Sequence, residues 1–517
     1  MRSAPETLSP LPGWIKPWLA ALPALYFLSP LALLGLFALR NLPRPVLWLL
    51  IFYALSQLLP ALLTPEPLLA LALASLRTLL LFGLLGLGQR LQTPKQLRPA
   101  LIGLSAVYLT ALLFSSLQGV DLLTTRLTHP YMTSITLGLV SAYGIWLCIF
   151  LPGRWLWRLP IGLLALTVLL LSGSRGPLLV MGIGLLTGFL VNQGRKWLVG
   201  TLLAGAIILA GGVSFLGQRT QLAALNRLEQ LDLTGRQFIW QNTLSIIQNA
   251  PLSGVGSYRL GHSLASPSEC YTFTRPNERN ACPAWARALG QPWLIAHNAT
   301  LQQWAETGPL GTLGLFLLLG AALWISVTRR DPLASAFLTG VLLLNVTDNT
   351  LLVPGPFIGE MFWIVVGLQL RQFRLPDLGG AGMTGAGLLL LLSIPIIAMS
   401  LPGRNEQAVS LQLQFFAADP HPARADPYGI VAQFKGRPGR YTVSFNTCFE
   451  GCRALQTAAL TVQDNRGVLA VPDLKLSPIP EQRVELRIYP AEGITLRPIA
   501  TYSWPVSLTS IAAADPD

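Results

Sequence analysis

Long apolar runs recur down the chain with no polar face at helical spacing to interrupt them. Leu31–Leu39, Leu163–Leu171 and Leu388–Ile397 would each be apolar all round if helical. Lipid is the solvent that tolerates such segments, and a helix needs about 20 residues to cross a hydrocarbon core of roughly 30 Å. Read at that length, the pattern predicts spans near 18–39, 46–63, 68–89, 100–118, 129–150, 158–173, 177–193, 196–217, 308–327, 333–350, 355–371 and 383–401. The expected fold class is an all-α polytopic membrane protein of about 12 transmembrane helices. After Pro402 the period changes. Tyr441–Phe445, Ala459–Val462 and Val484–Tyr489 alternate apolar with polar, and Gly436–Pro438–Gly439, Asp464–Asn465 and Pro478–Pro480 separate them. Period-two patterning bounded by turn residues predicts a small β-rich domain. The expected organisation is transmembrane helices over 1–217, a large polar loop over 218–307, further transmembrane helices over 308–401, and a β-rich domain over 402–517.

Composition agrees with the pattern. Of 517 residues, 52% are hydrophobic and 11% charged, with a mean hydropathy of +0.53, where soluble domains carry roughly 25% charged residues. The apolar stretch from about Trp18 is too long for a cleavable signal and runs into a basic loop, so it is expected to stay in the membrane.

The net charge of +13 raises the question of nucleic acid, but the basic residues are spread between apolar runs and gather on no single face. The expected partners are membrane lipids, with no nucleic acid. Topology explains the charge: Arg40 with Arg44, Arg90 with Lys95 and Arg98, Arg154 with Arg158, Arg195 with Lys196, Arg329 with Arg330, and Arg371 with Arg374 fall in alternate loops. By the positive-inside rule these loops are cytoplasmic. The remaining loops, with 218–307 and the tail after 401, then lie outside. Both long outer segments carry paired cysteines, Cys270 with Cys282 and Cys448 with Cys452, which an oxidising compartment would join as disulfides. The Cys448–Cys452 spacing is also that of half a metal site, but only His421 accompanies it in the tail, and a local disulfide is the reading preferred. Cys148, within an apolar run, reads as a buried small hydrophobe. Twelve spans with an external tail put the amino terminus outside, against the charge of Arg2 and Lys16, and one broken helix would reverse that parity.

Candidate chemistry gathers at the outer boundary. Arg175 stands in the short turn Leu171–Gly176 between two apolar runs, and an ionisable group at membrane depth is a functional candidate by default. The alternative is a helix hairpin whose arginine snorkels to the headgroups. Arg236 opens an amphipathic stretch running to Asn249 that Asp232 or Thr234 would cap. A cation in a first turn opposes the helix dipole, whereas a bound anion such as phosphate would be welcomed by backbone N–H groups and guanidinium together. Arg259, after the turn Pro251–Gly256, is a second candidate for the same anion. His297 is one of only four histidines and lies directly before a span, where an imidazole titrating near pH 6.5 could act as general base or be a hydrogen-bonded structural residue. Asn298 and Glu306 are possible supports, Glu306 either accepting a bond from a neighbouring turn or opening the helix. Asp348–Asn349 either joins the site or caps a late helix.

His297–Asn298, nine residues, then Gly308–Pro–Leu–Gly311 resembles the H-[NSQ]-x9-G-x-x-G signature of bacterial O-antigen ligases and their polymerase relatives. The Ser174–Gly176 turn, and Gly235–Arg236 with the following tryptophan and the Pro251–Gly256 turn, are similar to the same superfamily, over roughly 165–370. The resemblance implies a glycosyltransferase of the bacterial inner membrane whose site faces the periplasm and which needs no metal and no cofactor. Its donor would be a glycan on undecaprenyl pyrophosphate and its acceptor a sugar hydroxyl of lipid A–core. Arg175 and Arg236, with Arg259 less securely matched, would bind the donor pyrophosphate, and His297 would activate the acceptor hydroxyl or orient the donor. The β-rich tail departs from the usual ligase pattern. An O-antigen or exopolysaccharide polymerase and a protein O-oligosaccharyltransferase share the same donor chemistry. A lipid-linked sugar transporter is the rival from another class, although transporters place their binding groups near the midplane.

Overall fold

The computed structural model describes residues 12–120, 125–192, 236–264, 294–352 and 357–397, save 372 and 395, together with seven strands between 410 and 505. The helices are α1 (Ile15–Ala21), a 3-10 helix (Tyr26–Asn41), α2 (Arg44–Ala61), α3 (Pro67–Arg90), α4 (Ala100–Leu117), α5 (Ser134–Phe150), α6 (Leu159–Leu171) and α7 (Arg175–Val191). They continue as α8 (Arg236–Asn249), α9 (Leu260–Leu264), α10 (Ala299–Thr328), α11 (Pro332–Leu344), α12 (Ile358–Leu370) and α13 (Leu378–Leu392).

Five helical segments, Arg44–Ala61, Pro67–Arg90, Pro94–Leu117, Ala299–Thr328 and Leu375–Leu392, are long and apolar enough to cross a membrane. Shorter apolar helices stand among them, including Ser134–Phe150, Leu159–Leu171 and Pro332–Leu344. The span expected at 196–217 lies outside the described residues. Ile102, Leu109, Leu113 and Leu117 form one exposed apolar face of α4, an arrangement that lipid and not water rewards. Lipid tails are as apolar as leucine, so helices in a membrane associate through close packing. Glycines supply it here: a Cβ at Gly88 of α3 would lie 2.1 Å from the Ile364 carbonyl oxygen of α12, and one at Gly367 of α12 would lie 2.2 Å from that of Leu85.

The stretch expected as one span over 18–39 is two elements, α1 and the 3-10 helix, joined at Leu22–Leu25. Pro12, Trp14 and Ile15 line a groove with Leu87 and Arg90, so the chain enters α1 beside the Arg90 end of α3.

Two ends of the bundle can be told apart by their contacts. At one, Arg98 donates to the Pro152 carbonyl, Arg371 donates to that of Leu91 at 3.3 Å, and Gln369 donates to Asp331 at 2.8 Å. These contacts join the basic loops 91–98, 151–158, 329–331 and 371–374. The helices carry the chain from there to the opposite end, where α10 begins and α11 and α13 finish.

The tail folds as two antiparallel sheets. Strands β1 (Ser410–Ala417), β2 (Tyr428–Lys435) and β5 (Arg466–Leu474) form one in the order β1-β2-β5. Strands β3 (Gly439–Cys448), β4 (Cys452–Val462), β6 (Arg483–Pro490) and β7 (Ala500–Pro505) form the other in the order β4-β3-β6-β7. The apolar positions of the alternation are buried, Tyr441, Val443 and Phe445 of β3 and Val484, Leu486 and Ile488 of β6, and in β3 Ser444 and Asn446 are buried with them. Cys448 and Cys452 are directly opposed in the β3–β4 register, whereas Cys270 and Cys282 fall outside the described residues. The four-stranded sheet touches α8, where Gln241 Oε1 accepts from the Tyr489 hydroxyl and, at 3.3 Å, from Arg487 Nη1.

Candidate functional site

The site is built where α10 starts. Asn298 is its N-cap, in extended conformation, and accepts from Leu301 N at 2.8 Å. Both protons of its amide are also used, on the carbonyls of Val346 at 2.9 Å and Leu392 at 2.8 Å. Asn298 therefore stitches the ends of α10, α11 and α13 together, and its side chain is taken up by the scaffold. Its neighbour His297 has φ 49, a left-handed conformation costing of order 1 kcal/mol for a residue with a side chain. Trp240 Nε1 of α8 holds it there by donating to the His297 carbonyl at 3.2 Å.

His297 Nδ1 lies 3.2 Å from Asp348 Oδ1, and the imidazole side chain is 33% exposed. An ionised carboxylate can only accept, so Nδ1 carries the proton and the lone pair is left on Nε2. Asp348 follows the end of α11 and also accepts from Asn349 N at 2.8 Å. Burial would raise the pKa of this carboxyl, but the hydrogen bond and charge of His297, the Asn349 N–H and the Arg236 guanidinium together hold it below the ordinary carboxylate value. The residues alone leave Asp348–Asn349 open between site and cap, and the contact with His297 puts Asp348 in the site.

Arg236 is the first described residue of α8, near enough to Asp348 to lower its pKa. Arg175 is the first residue of α7, whose N-cap Ser174 makes no side-chain capping bond. A Cβ at Gly176 would meet Leu344 at 3.8 Å, so Arg175 stands by the end of α11, four residues before Asp348. Two arginines thus stand at the same end of the bundle. Arg175 sits on a described helix start, where free N–H groups and the positive end of a dipole accept phosphate. Arg259 is placed differently: it is buried, and its Nη2 donates to Glu66 at 2.8 Å ahead of α3.

The second half of the histidine signature also acquires a structural meaning. Helix α10 continues past Gly308, but that residue has φ 64 and ψ −170, a backbone break followed by Pro309. The span expected to begin at 308 therefore begins at Ala299, and the expected boundary marks the break. The turn Pro251–Gly256 docks there: Val255 N donates to the Ala305 carbonyl at 2.8 Å and Gly256 N to that of Glu306 at 2.9 Å. Gly308 cannot be replaced easily, because a Cβ would lie 1.9 Å from the Leu252 carbonyl oxygen.

Glu306 neither opens the helix nor reaches the turn with its carboxylate. It is buried, paired with Arg77 of α3, and accepts from Gln302 Nε2 at 2.6 Å. Arg77 escapes a reading of the sequence because it lies inside one long apolar run. An arginine near the middle of a predicted span is the signal that could have found it. Among the described residues no group of three His, Cys, Asp or Glu is arranged to hold a metal ion.

Residues 160–316 match the family described as O-antigen ligase. That stretch contains Arg175, Arg236, Arg259 and His297, and the match supports the resemblance to the O-antigen ligase and polymerase superfamily that its motifs carry. No curated protein matches the chain. The family match supports an enzyme of ligase or polymerase type acting on lipid-linked glycans, in a chain with several helices apolar enough to cross a membrane.

Proposed function

We propose that the chain is an O-antigen ligase-type glycosyltransferase of the bacterial inner membrane. It moves a glycan from undecaprenyl pyrophosphate to a sugar hydroxyl of lipid A–core at the periplasmic face, with inversion and without a metal. The observation that carries this reading is the His297–Asp348 pair beside Arg236 at one end of a helical bundle. That end is opposite the basic loops, so the positive-inside rule makes it periplasmic.

In this reading the acceptor hydroxyl approaches His297 Nε2, which takes its proton as the oxygen attacks the anomeric carbon. Asp348 keeps the imidazole in the required tautomer and stabilises the imidazolium that forms. The glycosidic bond to the pyrophosphate breaks on the opposite face, and the electron pair leaves with the phosphate. Arg175, backed by a helix N-terminus, and Arg236 oppose the negative charge that develops there, where fixed positive groups act most strongly. Arg259 contributes from beside Glu66. A base on one face and a leaving group on the other give inversion. General-base catalysis supplies roughly two to four powers of ten, and holding two lipid-anchored substrates in register supplies more.

The test is transfer in vitro by the purified protein. A lipid-pyrophosphate-linked glycan is offered in parallel with lipid A–core, a second lipid-linked repeat unit, and a pilin-type protein. Ligation to lipid A–core is expected. A product on the repeat unit would make the protein a polymerase, and one on pilin a protein O-oligosaccharyltransferase. Transport of the lipid-linked glycan without any new bond would refute the enzyme reading. His297→Ala is expected to abolish transfer while the protein remains folded in the membrane.

A further inference from the structure

Deep below the site, Arg77 of α3 and Glu306 of α10 form an ion pair that is 3% and 1% exposed. Arg77 is ten residues into its helix, about 15 Å from the end at 1.5 Å per residue, which is close to mid-membrane. Arg77 Nη2 donates to Glu306 Oε2, while its Nε and Nη1 are buried and meet no acceptor among the described residues. A pair with unused buried donors is a poor way to join two helices, since apolar residues of similar volume commonly hold as well or better. Directed contacts are what apolar residues could not replace. The Arg77 guanidinium lies 4.5 Å from the centroid of the Tyr258 ring. Tyr258 has φ 62, a conformation its own backbone disfavours. The main chain of Glu306 accepts from Gly256 N, and Arg259 directly follows the clamped tyrosine. Next along, Leu260 packs with Trp240, Ala296 and Leu301, the residues around His297.

We propose that Arg77 is a positioning residue for the donor site: through Glu306 and Tyr258 it latches the turn 251–259 into the break of α10 and so fixes where Arg259 meets the donor pyrophosphate. The proposal rests on the reading of Arg259 as a donor-binding residue. Arg77 itself touches neither substrate. It acts on the turn, and the turn presents the cation.

The test uses the full-length protein and the double variant Arg77→Met/Glu306→Leu, in which two apolar side chains replace the pair. Thermal melting is expected to stay near that of the wild type. Amide hydrogen exchange over 251–259 is expected to accelerate at least tenfold, because the bonds of Val255 and Gly256 to α10 open more often. The donor KM is expected to rise about tenfold with the acceptor KM unchanged, a split that a general loss of folded protein does not produce. Wild-type exchange together with wild-type donor KM in the folded double variant overturns the proposal. Should that variant fail to accumulate, Arg77→Lys, which keeps the charge and loses the planar fork, decides: a several-fold rise in donor KM at unchanged melting supports the latch, and an unchanged KM overturns it. Exchange is read without any transfer. If the wild-type protein transfers nothing from a prenyl pyrophosphate, the proposed function fails while the latch is still judged.

Discussion

The α5–α7–α11 side of the bundle and the α2–α3–α10 side are held together in opposite ways. On the first, Tyr143 and Trp146 stack at 5.5 Å between centroids, and Phe337 packs on both at 4.6 and 5.1 Å. On the second, Gln303 donates to Gln57 at 2.7 Å, Gln57 to the Gly311 carbonyl at 3.1 Å, and Arg77 to Glu306. Shape fixes the aromatic side, and it tolerates change so long as volume is kept. Directed bonds fix the polar side, and they set the register of α10 against its neighbours and of the turn that enters its break. Of the candidate site residues, His297 hangs from the start of α10 on the polar side, while Arg175 and Asp348 stand at the ends of α7 and α11, away from the aromatic cluster.

The comparison breaks if catalysis depends as much on the aromatic block as on the polar one. After His297→Ala, the largest effect is expected from Asp348→Asn, which replaces the carboxylate that orients His297 with a neutral amide: kcat should fall by roughly 10²–10⁴ in protein that remains folded, measured as initial rates of glycan transfer. Trp146→Ala should do the reverse, costing roughly 3–5 kcal/mol of stability while the surviving protein keeps its donor and acceptor KM. Gly308→Ala meets the Leu252 carbonyl and a left-handed φ at once, and should cost about 1–3 kcal/mol and slow transfer together, which melting and rate assays on one preparation would read. Arg236→Ala should lower donor affinity by about tenfold to a hundredfold, the worth of one charged hydrogen bond, with little change for the acceptor.

The smallest effects concern pH. Asp348 has its folded pKa lowered, so the stability it contributes is complete above the ordinary carboxylate value and is lost only as pH falls through the lowered one. Between pH 8 and 5 it should add no slope to the melting temperature. His129 differs: burial brings its pKa down from 6.5 to about 4. Its neutral form is favoured by folding, so its contribution is complete above 6.5 and declines as pH falls from 6.5 to 4. A shallow loss of melting temperature over that window, absent in His129→Gln, is the expected result.

Much of the architecture was legible in the residues because it depends on local chemistry. An all-apolar run has one stable environment, so helices such as those expected at 46–63, 68–89 and 100–118 followed from order along the chain alone, whereas the run at 18–39 folds as two elements. Three of the strands, β3, β4 and β6, did as well, since period two is a property of neighbours: Val484, Leu486 and Ile488 alternate whatever faces them. The histidine signature pointed to His297 as a candidate, while its glycine, expected at the start of a span, lies at a break inside α10. What only the tertiary structure decided were the partners of the charges. His297 meets Asp348 across 51 positions and Arg77 meets Glu306 across 229, and neither pairing leaves a periodic trace. Burial makes such charges depend on one another, but the packing of helices far apart in sequence chooses which ones meet.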